Sequence, residues 1–145
     1  MLPGRQSSKS SVPRAAAGGP GIAVAEDDRG TRLLISHKLT RVGYRVTACA
    51  DGEQLLAQVA KDRPKLIILD LMMPVKDGYT TLRQLKADPA LGAVPVLMLS
   101  SKNHDEDVVR CLEAGAADYM VKPFSPDELV IRVRKLIARE NPPQS

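Results

Sequence analysis

The chain has 145 residues and is 43% hydrophobic, enough for one globular domain, because a core of that extent can offset the chain entropy of roughly 120 ordered residues. The net charge of +4 invites a nucleic-acid reading, but residues 1–20 contribute Arg5, Lys9 and Arg14 with no acid, which leaves the remainder at 18 basic against 17 acidic groups. With one Phe, three Tyr and no Trp, that remainder lacks both the clustered positive field and the stacking groups that direct nucleic-acid binding needs.

Residues 1–20 are rich in Ser, Gly, Pro and basic residues, the composition of a disordered basic tail. Residues 21–140 read as the folded domain, in which short apolar runs alternate with longer amphipathic stretches, as in repeated β–α units around a mostly parallel sheet. The first strand, 22–25, leads to a helix with Leu33, Leu34, Leu39 and Val42 at helical spacing. The second, 45–48, precedes a helix marked by Leu55, Leu56 and Val59. The third and fourth, 66–69 and 94–99, hardly alternate, which predicts burial on both faces and a central place in the sheet. Leu82 and Leu85 mark the helix between them; Val108, Val109 and Leu112 mark the next, before a fifth strand at 119–121. Ser125-Pro126-Asp127-Glu128 then combines a Ser N-cap, Pro at the first helical position and Glu at the capping-box position, ahead of Leu129, Val133 and Leu136. That helix should end near Arg139, and residues 141–145 read as a short tail or part of a linker.

Five strands and five helices in strict alternation predict a three-layer, doubly wound α/β domain. The pattern alone leaves strand order open. It does place a site beyond the carboxyl ends of the strands, where the winding direction reverses. Cys49 and Cys111 fit neither a C-x-x-C motif nor a metal cluster and read as reduced, buried thiols, which suits a cytoplasmic protein. No run reaches the ~18 apolar residues of a membrane span, and Ala15-Ala16-Ala17 is too short for a signal-peptide core.

Acids converge on the predicted site edge: Glu26-Asp27-Asp28 after the first strand and Asp70 after the third. Carboxylates gathered in a partly dry crevice repel one another unless a hard cation sits among them, and Mg²⁺ is the natural candidate. Asp28 reads equally well as the N-cap of the first helix. Ser100 and Ser101 end the fourth strand and Lys122 the fifth; Pro123 after Lys122 admits a cis peptide that would aim the lysine inward. Acids, hydroxyl and ammonium on one edge are together what a transferred phosphoryl group requires. A strand-end lysine taken alone reads as a solvated surface charge. His37 and His104 have no second ligand nearby in sequence.

From about Gly21 to Arg139 the chain resembles the receiver domains of bacterial two-component response regulators. Four separated motifs carry the resemblance: Val24-Ala25-Glu26-Asp27-Asp28; Leu69-Asp70-Leu71-Met72-Met73-Pro74 with Asp77-Gly78; Pro95-Val96-Leu97-Met98-Leu99-Ser100; and Gly115-Ala116-Ala117-Asp118-Tyr119 with Val121-Lys122-Pro123-Phe124. It implies a flavodoxin-like (βα)5 fold with strand order 2-1-3-4-5. It also implies that Asp70 is the phosphoacceptor, that Glu26, Asp27, Asp70 and the Met72 backbone carbonyl hold Mg²⁺, and that Ser100 bonds the phosphoryl group. Lys122 would pair with that group and Tyr119 would be the aromatic switch residue, while Asp77-Gly78 starts the third helix.

The implied protein is a signalling switch rather than an enzyme, catalysing only its own phosphotransfer and slow autodephosphorylation. Its partners would be a sensor histidine kinase or phosphotransfer protein and a downstream effector, with a homodimer through the fourth helix, fifth strand and fifth helix. No nucleic-acid or membrane contact is expected of this chain. Met72 and Lys102 stand where similar proteins tune hydrolysis of the aspartyl phosphate. Residues 122–129 resemble the winged-helix transcription-factor subfamily, but Ala117 stands where those proteins usually carry Asp and Val108 where they usually carry Arg. Two alternatives remain: a pseudo-receiver that binds without phosphorylation, and a haloacid-dehalogenase-like phosphatase. The latter would want an acid two residues after its nucleophile, where this chain has Met72.

Overall fold

The computed structural model describes residues 19–101 and 105–140; Lys102 and His104, most of the predicted tail and residues 141–145 lie outside them. The elements alternate as β1 (Gly21–Ala25), α1 (Arg29–Arg41), β2 (Arg45–Cys49), α2 (Gly52–Lys61), β3 (Leu66–Asp70), α3 (Gly78–Ala87), β4 (Val96–Ser101), α4 (Asp105–Glu113), β5 (Asp118–Lys122) and α5 (Pro126–Glu140). All strands pair in parallel, in the order β2-β1-β3-β4-β5. This is the flavodoxin-like arrangement the motifs implied, with its reversal between β1 and β3.

Alternating side chains on each strand feed two cores. Ala23, Ala25, Ile67, Leu69, Val96 and Met98 pack under α2, α3 and α4 with Leu55, Val59, Leu82, Leu85 and Cys111. Ile22, Val24, Ile68, Leu97, Leu99 and Met120 pack under α1 and α5 with Ile35, Leu39, Leu129, Val133 and Leu136. β3 is buried at every position, as its unbroken apolar run predicts, because it has helices on both faces.

Helix starts follow side-chain capping: Asp28, Asp51 and Asp77 each accept a hydrogen bond from an amide three residues on, at 2.8, 2.9 and 2.8 Å. On α5 Ser125 caps as expected, its Oγ accepting from the Glu128 amide at 3.0 Å. The Glu128 carboxylate turns instead to Arg132, whose Nε donates at 3.1 Å. Gly43 and Gly115, just past α1 and α4, take φ of +111° and +113°, a region glycine enters without a Cβ penalty.

Three expectations need correction. β4 begins at Val96, not 94: the Val94 amide is spent on Leu91 at 3.0 Å in a turn, and Pro95 has no N–H. On α1 the inward residues are Ile35 and Leu39, while Leu33, Leu34 and Val42 are exposed. Three consecutive apolar residues cannot all face one core, and the helix phase favours Ile35. On α4 Val108 and Cys111 face in, and Val109 and Leu112 out. Gly19 and Pro20, at the end of the predicted tail, are tied to β2: Arg45 donates through Nε to the Gly19 carbonyl and through its amide to that of Pro20, at 3.0 and 2.9 Å. Among the described residues no helix is long and apolar enough to cross a membrane.

Candidate functional site

The register of the sheet decides which residues meet. Ala25 is level with Leu69, so Glu26 follows β1 beside Asp70, the last residue of β3. Asp70 is level with Leu99, which sets Ser100 one residue beyond it, and Ser101 is level with Lys122 at the end of β5. Four chain segments thus deliver polar groups to one edge of an apolar sheet.

Glu26 and Asp70 are buried, while Asp27 is exposed; oxygens of all three lie within 4.8 Å of one another. The Lys122 ammonium donates to Glu26 Oε1 at 2.9 Å and Asp70 Oδ2 at 3.3 Å, and the peptide between Lys122 and Pro123 is cis. The remaining oxygens are met by backbone: the Asp28 amide donates to Glu26 Oε2 at 2.9 Å and the Met72 amide to Asp70 Oδ1 at 3.3 Å.

Burial, followed by repulsion from Glu26, pushes the Asp70 carboxyl up to about 7; Lys122 offsets only part of this. For Lys122, burial disfavours the charge, yet Glu26 and Asp70 together outweigh it and raise the ammonium's pKa. The site is therefore short of positive charge, and hard carboxylate donors in this cluster suit a divalent cation such as Mg²⁺.

Other predicted residues sort by position. Ser100 is buried, and its Oγ has no hydrogen-bond partner among the described residues, at a cost of roughly 1–3 kcal/mol for an unmade bond. Tyr119 lies on the surface at 38% exposure, and the Met72 side chain is also exposed. Asp28 proves to be the cap of α1, its carboxylate accepting from the Thr31 amide and hydroxyl, each at 2.8 Å. Those bonds, the backbone one foremost, hold its pKa below the usual carboxylate value. Cys49 and Cys111 are free and buried, and burial pushes both thiols up to about 11, which leaves them unreactive.

One contributor was not singled out from the sequence. Arg32 donates through Nη1 to the carbonyls of Glu26 at 2.8 Å and Asp27 at 3.3 Å, holding the acidic turn. The available signal is its place one turn into the helix after the acids, since helical side chains lean toward the N-terminus.

A doubly wound parallel sheet with an acid cluster and a lysine gathered at its switch point defines the class as a flavodoxin-like α/β domain. Comparison with known proteins narrows it: the family model described as the response regulator receiver domain matches residues 22–134. The chain is 40% identical over 122 residues to a probable transcriptional regulator, ycf27, of Cyanophora paradoxa, covering 83% of this chain and 50% of that protein. It is 40% identical over 118 residues to the alkaline phosphatase synthesis transcriptional regulatory protein PhoP of Bacillus subtilis, covering 81% and 48%. It therefore spans about half the length of these curated relatives. Among solved structures it resembles a response regulator of Chloroflexus aurantiacus, with a TM-score of 0.80 and 35% identity over 83% of this chain and 99% of that one. The chemotaxis protein CheY4 of Vibrio cholerae gives a TM-score of 0.78 and 29% identity over 82% and 99%. The chain belongs to the response regulator receiver domain family of two-component signalling.

Proposed function

We propose that this domain is a phosphorylation-dependent switch in which Asp70 accepts a phosphoryl group from the phosphohistidine of a sensor kinase or phosphotransfer protein. The observation that carries the reading is the buried Asp70 carboxylate, flanked by Glu26 and Asp27 on one side and reached by Lys122 on the other. Glu26, Asp27, Asp70 and the Met72 carbonyl would hold Mg²⁺, and the all-oxygen donor set fits that ion. When bound, Mg²⁺ supplies the positive charge that lets an anionic nucleophile approach an anionic phosphoryl group.

The chain's own residues do the rest. An Asp70 oxygen forms the new bond to phosphorus as the phosphorus–nitrogen bond to the donor imidazole breaks, with the electron pair leaving on the histidine. Lys122, already within 3.3 Å of Asp70, offsets charge on the transferred oxygens. The Ser100 hydroxyl gains its missing acceptor from a phosphoryl oxygen. Tyr119 follows by turning into the space behind Ser100, and the face of α4, β5 and α5 changes shape. This is a population shift between two packed states of one domain. A downstream effector protein or domain, or a second copy of the chain, reads that face. The cytoplasm is the compartment this reading implies.

Intact-mass measurement after incubation with acetyl phosphate, with and without Mg²⁺, tests the reading. The wild-type chain should gain one phosphoryl group only with Mg²⁺, and Asp70→Asn should gain none. A folded wild-type chain that stays unmodified under all conditions would make the domain a pseudo-receiver.

A further inference from the structure

The segment between β3 and α3, residues 71–77, carries the Met72 carbonyl past Asp70 and is held in a strained conformation. The Lys76 amide donates to the Pro74 carbonyl at 2.7 Å, closing a three-residue turn around Val75, whose φ is +71°. Left-handed backbone at a β-branched residue costs about 1–3 kcal/mol. Val75 is 84% exposed, so its own packing does not repay that cost, and the turn must be held from elsewhere.

Leu71 and Met73 are buried and anchor the first half of the segment. The second half is tied down by Lys76. Its ammonium donates to Gln84 Oε1 on α3 at 2.6 Å and pairs with Glu53 Oε2 on α2 at 3.2 Å, with the lysine side chain only 17% exposed. Its carbonyl sits so close to Gly52, the first residue of α2, that a Cβ there would press on it. A lysine side chain that is largely covered and bonded to two helices has less side-chain entropy left to lose than a free surface lysine, even with Glu53 60% exposed.

We infer that Lys76 is a positioning residue: its ties to Glu53 and Gln84 hold segment 71–77 in the strained form that presents the Met72 carbonyl to the cation site, and so set Mg²⁺ affinity. This rests on the reading of Asp70 as a Mg²⁺-assisted phosphoacceptor. The sign of the effect is diagnostic. A lysine acting only through its charge would oppose a nearby divalent cation, so its removal would tighten Mg²⁺ binding. A lysine acting as a clamp would weaken Mg²⁺ binding when removed, because the carbonyl ligand would no longer be preorganised.

The test is calorimetric titration of Mg²⁺ into the whole chain, wild type against Lys76→Ala, Lys76→Arg and Gln84→Ala, paired with the acetyl-phosphate rate at saturating Mg²⁺. Lys76→Ala should bind Mg²⁺ about tenfold more weakly, with the saturated rate within about twofold of wild type and Lys76→Arg restoring most of the affinity. Gln84→Ala, which keeps the charge and cuts the shorter tie, should weaken binding in the same direction and serves if Lys76→Ala does not fold. Unchanged or tighter binding by Lys76→Ala, in a wild-type chain that does bind Mg²⁺ and take the phosphoryl group, overturns the clamp alone. A wild-type chain that does neither overturns the clamp together with the reading on which it rests.

Discussion

Asp70 concentrates the electrostatic cost of the candidate site in one side chain. Its carboxyl is held near pH 7 by burial and by Glu26, so between the unfolded value near 3.8 and about 7 the folded state keeps a proton that the unfolded state has lost. Stability of the metal-free domain therefore falls as pH rises through that window. Asp70→Asn removes the burden: urea unfolding without Mg²⁺ should find the variant more stable than wild type by about 2 kcal/mol at pH 8, with the difference vanishing near pH 4. An advantage that persisted at pH 4 would mean the carboxylate charge is not its source. Ser100 adds a second cost of the same kind, a buried hydroxyl without a hydrogen-bond partner among the described residues. The types and order of these residues were readable in the sequence because few chemistries call for them together. Their burial and Lys122's sharing between two carboxylates were not, since both depend on the partners the fold supplies.

At the scale of elements, the helix starts show how closely the site is built into the scaffold. Gly78 opens α3 directly against the end of β3: its amide donates to the Leu71 carbonyl at 2.9 Å, and a Cβ there would overlap the backbone of Asp70 and Leu71. Gly30, in the first turn of α1, would meet nothing closer than the Asp28 carboxylate at 3.5 Å, an ordinary contact. The same substitution should therefore have opposite signs. Gly78→Ala should destabilise by about 2 kcal/mol, overpacking outweighing helix propensity, whereas Gly30→Ala should stabilise by about 0.5 kcal/mol. Thermal unfolding of the two variants checks this; a neutral Gly78→Ala would show that the segment after β3 can shift aside. The Asp-Gly pair at 77–78 announced a helix start in the sequence, but its contact with the site strand is a tertiary fact. The α1 stripe was misread for a related reason: in the Leu33-Leu34-Ile35 run, hydrophobicity does not say which residue the helix phase turns inward.

For the molecule as a whole, one sheet is the common wall of two cores. Ile68 and Leu69 are adjacent in β3 yet belong to opposite cores, Ile68 beneath α1 and α5 and Leu69 beneath α2, α3 and α4. Ile68→Ala and Leu69→Ala should each lower global stability by about 3 kcal/mol, each with a single transition seen alike by circular dichroism and tyrosine fluorescence. Two resolved transitions in either variant would show that the faces unfold separately. This shared wall also suits a switch, because a shift at the strand ends that moves β4 and β5 is felt on both faces.

The sequence by itself determined the class of domain, the alternation of elements, the burial of β3 and which acidic, hydroxyl and basic residues end the strands at one sheet edge, because each rests on local periodicity, on motif spacing or on residue type. Tertiary structure alone decided that Glu26 and Asp70 are buried together while Asp27 stays exposed, and that the Lys122 ammonium is shared between the two buried carboxylates. It also decided that Asp28 serves a helix rather than the cluster, and that Lys76 bridges α2 and α3. Those outcomes are set by strand register and helix phase, which depend on how distant segments share one core and so leave no mark in any single stretch of the chain.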